Sequence, residues 1–593
     1  MRLSKRVMCN PLDLAYRYQD VHFSNPVGGG KNREPRRSVH REGADPSIVL
    51  YRDRFYMFAS MSAGFWHSED LLRWEYRATS KLPVLDYAPD VREVDGALCV
   101  SASRKRDNCP FFRSVDPLSD DFSEVTPGTF PFWDPSLFQD DDGTVYLYWG
   151  CDNRTPLYGV RLSDTFRQVG EPVPLIASDT AARGWEQVGE DHVTEPPPSG
   201  PETPPAPYIE GAWMTRHEGT YYLQYSAPGT QFNTYADGYC TASAPLGPFE
   251  YSPDSPFSSK PGGFITGAGH GSTFQDRHGN WWHAATMRIA VNERFERRIA
   301  LFPAGFDDDG VLFCNQNFAD YPFVVPDGPF DPWTPPPWML LSHRAVATAS
   351  SSASRHQPAR AVDEDIRTWW TAGHRRPGEH LTVDLGADKT VHAVQINLAD
   401  HELGATAPPA PGGTDPGHSG HSWRGIYPGR QPTEIVVEMS RDGTEWTVVH
   451  DSVGTGADAP HAFIVLEAPL RVRFVRVTGG RMPFDGLFAV SGVRVFGDGD
   501  GDAPSPVRAR ALRVDGRTAR IEWDAAARAT GYNVRYGRHP GKLYHSWLVH
   551  DRTKLDLRSL NAGADYWVAV DAFGEAGIAP GHVEPVSGQP TSR

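Results

Sequence analysis

The chain has 593 residues, too many for a single core, and a prior of about 150 residues per domain divides it into three or four units. A formal net charge of −16 excludes a nucleic-acid surface, which needs clustered Lys and Arg, and suits an acidic, aromatic pocket for neutral sugars. Abundant aromatics, frequent Gly and Pro and little helical periodicity predict all-β modules of short strands and tight turns, and no run is apolar enough to span a bilayer.

The first residues, MetArgLeuSerLysArgValMetCysAsnProLeuAsp, are basic but hold no apolar run of signal-peptide length. The expected location is cytoplasmic, or extracellular if a leader has been removed. Beyond them one phrase recurs five times: AspProSerIleVal from Asp45, AlaProAspVal from Ala88, AspProSerLeuPhe from Asp134, GluGlyAlaTrpMet from Glu210 and HisGlySerThrPhe from His270. Each leads into a short apolar run, a polar turn such as ArgAspArg at 52–54, AspGly at 95–96 or HisGluGly at 217–219, and a second aromatic or β-branched run. Each phrase predicts a β-hairpin.

Such self-similarity predicts a five-bladed β-propeller over residues 10–325. The slot that opens each phrase starts the innermost strand of its blade, so Asp45, Asp134, Glu210 and His270, far apart in sequence, are expected to meet on the axis. A single AspPro at a strand start is commonly a turn; three acidic slots together point to a constellation. Asp90 is read as structural, because its blade displaces the acid by two residues relative to the AspPro pattern. Cys9, Cys99, Cys109, Cys151, Cys240 and Cys314 all lie in this module without metal-type spacing, which predicts no disulfide framework.

A Pro-rich insertion from Glu195 is read as a stiff surface loop, and residues 326–340 as a Pro-rich linker. Within 341–497, AlaValAspGluAspIleArgThrTrpTrpThrAla from Ala361, LeuThrValAspLeuGly from Leu381, ValGluMetSerArgAspGlyThrGluTrp from Val437 and ArgPheValArgValThr from Arg473 resemble the discoidin (coagulation factor type C) module. The resemblance implies an eight-stranded jelly-roll sandwich whose end loops often bind sugars. The region 401–430 departs from it as a long insertion, which leaves two roles open: a tethered glycan-binding unit or a buttress for the propeller. SerArgAspGlyThrGluTrp from Ser440 looks like a sialidase Asp-box but is read as a type I′ turn with a packed Trp. HisSerGlyHis at 418–421 is read as loop rather than as metal site. Within 504–590, AlaArgIleGluTrpAsp from Ala519, GlyTyrAsnValArgTyr from Gly531 and the Leu and Tyr corner after Leu557 resemble fibronectin type III, implying a non-catalytic spacer sandwich.

Two carboxylates across a glycosidic bond support hydrolysis through an oxocarbenium-like transition state, and a third keeps the acid protonated, because crowded like charges raise one pKa. The five slot phrases in order, with AsnProLeuAspLeuAlaTyrArgTyrGln from Asn10 and HisSerGluAspLeuLeuArgTrp from His67, resemble glycoside hydrolase family 43 over about 300 residues. That resemblance implies Asp45 as general base, Glu210 as general acid and Asp134 as the residue that tunes and orients Glu210. It puts His270 where some relatives support a hydrated calcium ion, the other reading being a hydrogen-bonded core histidine. It puts Arg297 close to the sugar at the cleavage point, with Arg298 as the register alternative. Tyr87 and Trp133, directly before slots, are walls for a stacked sugar ring or packing between blades.

The implied activity is exo-acting, inverting hydrolysis of terminal furanosides of an oligosaccharide or polysaccharide. α-L-Arabinofuranosides come first, with β-xylosides, β-galactofuranosides or galactosides as alternatives on the same propeller, and no cofactor beyond a structural calcium is implied. Invertase-like propellers would show AsnAspProAsnGly at the first slot, where this chain has AlaAspProSer at 44–47. A non-catalytic sugar-binding propeller is the competing class; loss of an acidic slot would favour it, and none is lost. No nucleic acid or membrane partner is expected, and the sequence leaves the oligomeric state open.

Overall fold

The computed structural model describes residues 6–23, 36–83, 87–104, 107–194, 206–293, 295–413 and 421–588. Most of the Pro-rich insertion, at 195–205, and HisSerGly at 418–420 lie outside them. Among the described residues, no helix is long and apolar enough to cross a membrane.

Five successive four-stranded antiparallel sheets open on Ala44–Tyr51, Tyr87–Val94, Ser136–Gln139, Glu210–His217 and Thr266–Gln275, the fourth sheet gaining a short extra strand at Ser258–Ser259. Each opening strand packs against the next, and the fifth against the first, so the sheets close into a ring as five propeller blades. The hairpins follow from turn chemistry. Arg52 and Asp53, Asp95 and Gly96, and Glu218 and Gly219 all have positive φ, giving two-residue type I′ turns that match strand twist.

Two side-chain devices repeat around the ring. Asp45, Ala88, Asp134 and His270 each have φ between 46° and 53°, and the ladders of the first, second and fifth blades shift register there. Such a bulge re-aims the slot side chain toward the axis. The slot N–H groups of Asp45, Ala88, Asp134 and His270 donate to Thr286, Ser60, Ser103 and Ser226, hydroxyls on the second strand of the preceding blade, at 2.7–2.9 Å. Two residues past the slot, Ser47, Asp90 and Ser272 accept the N–H of Val91, Leu137 and Ile48 on the following blade at 2.7–3.1 Å. Asp90 is therefore a staple between blades, in the place that serine holds elsewhere.

Residues after the ring form two sandwiches. The first has eight strands, with Trp370, Val383, Val391, Ile396, Val475 and Val493 in its core, and Met339–Leu340 already pairs with Ala489–Asp498 in it. Its SerArgAspGlyThrGluTrp segment is a hairpin connection, but not a type I′ turn. Gly443 alone has positive φ, and Asp442 closes the loop by accepting the N–H groups of Thr444 and Glu445. The second sandwich packs a three-stranded on a five-stranded sheet around Trp523, Tyr532, Val534 and Val568, and the Tyr566 hydroxyl accepts the Asn561 N–H. Neither sandwich hangs free. Cys9 and Tyr321 of the propeller share one buried cluster with Ala393 and Phe496 of the first sandwich and Leu548 and Phe573 of the second. The expected spacer is corrected accordingly: Gly184 N donates to Leu560 O at 3.0 Å, and Lys542 pairs with Asp307 at 2.7 Å.

Candidate active site

The slot residues converge. Asp45, Asp134, Glu210 and His270 line one cavity of about 220 Å³ together with Tyr87, Trp133 and Arg297. The positive-φ slots bring Asp45, Asp134 and His270 to it from blades 1, 3 and 5; in blade 4 that slot is Gly211, and Glu210, expected in the slot, reaches the cavity from the position before it.

Asp45 is built to be ionised. Ser60 Oγ donates to its Oδ2 at 2.5 Å, and Arg297 Nη1 and His270 Nδ1 each lie 3.4 Å from its Oδ1. Burial pushes its pKa up, but Arg297, His270 and the hydroxyls of Ser60 and Thr286 outweigh burial and hold it below the ordinary aspartate range. Arg297 is anchored in turn by Glu42, which accepts from Nε at 3.0 Å and Nη2 at 2.5 Å. Arg298 faces away, to His461 Nε2 at 3.0 Å, and of the two arginines it is Arg297 that lines the cavity.

Asp134 is the opposite case. Burial is the largest effect and pushes its carboxyl up to about 7; the charges of Glu210 and Asp45 add to this, while His270 and the Cys151 thiol pull the other way. Glu210 takes the Tyr235 hydroxyl on Oε1 at 2.5 Å and the Cys151 thiol on Oε2 at 3.0 Å. Asp134, Cys151 and Glu210 present atoms within 4.8 Å of one another. Asp134 is thus the carboxyl held up to about 7, beside a Glu210 carboxyl that accepts from two donors.

His270 is neither remote from the acids nor simply a core residue. Its Nδ1 lies 3.4 Å from Asp45 and 3.8 Å from Asp134, and these carboxylates, with Glu210 and Asp237, raise its pKa against the effect of burial. Asp237 fixes the backbone there by accepting the N–H groups of His270 and Gly271 at 2.8 and 3.0 Å. Among the described residues, the group able to hold a metal ion is Asp134, Cys151 and Glu210. Ca²⁺ takes six to eight oxygen ligands, so two carboxylates and a thiol do not fit it, and no catalytic step is assigned to a metal.

Sequence reasoning missed Cys151, Tyr208, Thr230, Gln231 and Phe295, which also line the cavity, and Glu42 and Tyr235 behind it. Only Cys151 had a local signal: it follows Gly150, which occupies in blade 3 the place of Ser60 and Ser103.

The model of the Glycosyl hydrolases family 43 matches residues 38–312, and that of the F5/8 type C domain matches residues 346–407. A xylan 1,3-beta-xylosidase of Vibrio sp is 26% identical over 340 residues, covering 49% of this chain and 59% of that protein. A putative beta-xylosidase of Escherichia coli (strain K12) is 26% identical over 290 residues, covering 44% and 49%. The chain therefore spans about half the length of the curated relatives it matches. The crystal structure of a thermostable family-43 glycoside hydrolase is 22% identical, with a TM-score of 0.39, and covers 52% of this chain and 98% of that one. Residues 38–312 are a domain of glycosyl hydrolases family 43, joined in this chain to an F5/8 type C domain.

Proposed function

We propose that the axial pocket is the active site of an exo-acting, inverting glycosidase that removes terminal pentosyl residues, as β-D-xylosides or α-L-arabinofuranosides, from an oligosaccharide or polysaccharide. The observation that carries this reading is one small cavity holding an aspartate kept ionised, Asp45, and beside Glu210 a second, Asp134, whose carboxyl is held up to about 7. Its volume, below the roughly 300–1,000 Å³ of pockets for drug-sized ligands, suits one sugar unit and hence attack at a chain end.

In this mechanism Asp45 takes a proton from water as the water attacks the anomeric carbon. Glu210 gives its proton to the leaving oxygen, and the Tyr235 and Cys151 donors stabilise the carboxylate that results. Asp134, held up to about 7, orients Glu210 and modulates it, and His270 and Arg297 steady Asp45. Tyr87 and Trp133 wall the sugar. The xyloside arm draws support from the names of the two curated relatives, and the arabinofuranoside arm from the resemblance of the slot motifs. A panel of p-nitrophenyl β-D-xyloside, α-L-arabinofuranoside and β-D-galactofuranoside tests it: turnover of a pentoside that Asp45→Asn abolishes supports the proposal, and no turnover across the panel removes it. The hydrated calcium suggested beside His270 is tested in the same assay, where treatment with EDTA is expected to leave the rate unchanged. The last sandwich is assigned as fibronectin type III-like, supported by the Tyr566 corner.

A further inference from the structure

We propose that the catalytic pocket is assembled from two domains, with Arg424, in the insertion of the first sandwich, acting as a positioning residue for the Tyr87 wall; this rests on the glycosidase reading of the pocket. The long insertion at 401–430 is what reaches. Its strand His421–Ile426 pairs antiparallel with Arg17–Phe23, which pairs in turn with Arg36–Glu42, so a three-stranded sheet joins the insertion to the propeller's first segments. Glu42, at the end of that sheet, is the anchor of Arg297.

The insertion is clamped where it crosses. Arg37 makes a two-pronged pair with Asp20 at 2.8 Å and donates to Gly404 O and Ala407 O at 2.9 Å, while Ala410 N donates to the same Asp20 at 3.0 Å. From this fixed strand Arg424, only 9% exposed, donates Nη1 to the Tyr87 hydroxyl at 2.5 Å, and its guanidinium lies 4.8 Å from the centre of the Tyr87 ring. Tyr87 faces the same cavity as Asp45 and Arg297. A tyrosine held at both its hydroxyl and its ring face is pre-organised, so the substrate need not order it on binding. A wall of this kind serves ground state and transition state alike, and its loss appears in KM more than in kcat.

The experiment is a double-mutant cycle on the full chain, read with the best aryl pentoside. Arg424→Ala is expected to raise KM roughly tenfold, the worth of one charge-assisted hydrogen bond, with kcat within about threefold of wild type. Arg424→Lys, which keeps the charge but loses the fork, is expected to fall between. In a Tyr87→Phe background Arg424→Ala is expected to cost less than about threefold, because the shared hydrogen bond is already gone. A crystal structure of Arg424→Ala gives a readout independent of turnover: the Tyr87 ring displaced from the cavity wall supports the proposal. An unmoved ring, an unchanged KM, or a tenfold effect that persists without the Tyr87 hydroxyl overturns it. Wild-type inactivity on every glycoside would instead strike the glycosidase reading, leaving the crystallographic result to decide on Arg424.

Discussion

Asp45 and Asp134 occupy equivalent slots in blades 1 and 3, yet their neighbours drive them in opposite directions. Asp45 meets Arg297 and two hydroxyls, whereas Asp134 is buried beside Glu210 and Asp45. The pH profile of kcat/KM follows from this difference. Because Asp45 must be ionised and is held low, the acidic limb is expected below the ordinary aspartate pKa of about 3.9. Because burial, with the charges of Glu210 and Asp45, holds the Asp134 carboxyl up to about 7, the profile is expected to turn as pH rises through about 7, where Asp134 gives up its proton. Asp134→Asn, which removes that titrating carboxyl, is expected to abolish the turn near 7; a turn that stays there would contradict its assignment to Asp134. Glu210→Gln is expected to reduce turnover by about 10²–10⁴-fold on glycosides with poor leaving groups and far less on activated aryl glycosides, because only the former need protonation. Equal losses on both would show that Glu210 is not the acid.

At the scale of the element, the blade is a repeated unit in which one bulge aims the slot and one small polar residue two positions on staples the next blade. Asp90 tests this separation of roles. Asp90→Ala leaves the buried Leu137 N–H without that partner and is expected to lower unfolding stability by about 1–3 kcal/mol in urea titration, with kcat of the folded enzyme retained. Loss of kcat at unchanged stability would place Asp90 in the chemistry instead. The slots at Asp45, Asp134 and His270 were legible in the sequence because the phrase and its turns are local, whereas Glu210 stands one residue ahead of its blade's slot, Gly211. The hydroxyl partners were visible only as a serine or threonine near the end of four of the five second runs, at Ser60, Ser103, Ser226 and Thr286. Cys151 and Tyr235 escaped because they meet Glu210 from other strands and loops, at angles that only ring closure defines. Arg424 escaped for a stronger reason: its partner is 337 residues away.

Across the whole molecule, the two sandwiches are parts of one packed body. Buried Arg41 of the propeller pairs with Asp400 and Asp458 of the first sandwich at 2.7 Å, and buried Arg494 of that sandwich pairs with Glu364 at 2.9 Å while donating to the propeller carbonyl of Asp320. Removing one partner of a buried pair typically costs about 3–5 kcal/mol, so Asp400→Ala is expected to lower the thermal midpoint by several degrees. Deletion of residues 341–593 is expected to abolish the soluble fold along with activity on small aryl glycosides. A deletion that spared small-substrate activity and lost only polymer hydrolysis would restore the tethered glycan-binding role. Of the two roles the sequence left open for the first sandwich, its packing against the propeller speaks for the buttress. The stereochemistry of the proposed hydrolysis is the most direct test of the account. With Asp45 activating water and Glu210 protonating the leaving oxygen, ¹H NMR of an aryl pentoside during turnover should show the first-formed sugar with inverted anomeric configuration, before mutarotation. A first product of retained configuration would mean a covalent glycosyl-enzyme and would contradict it.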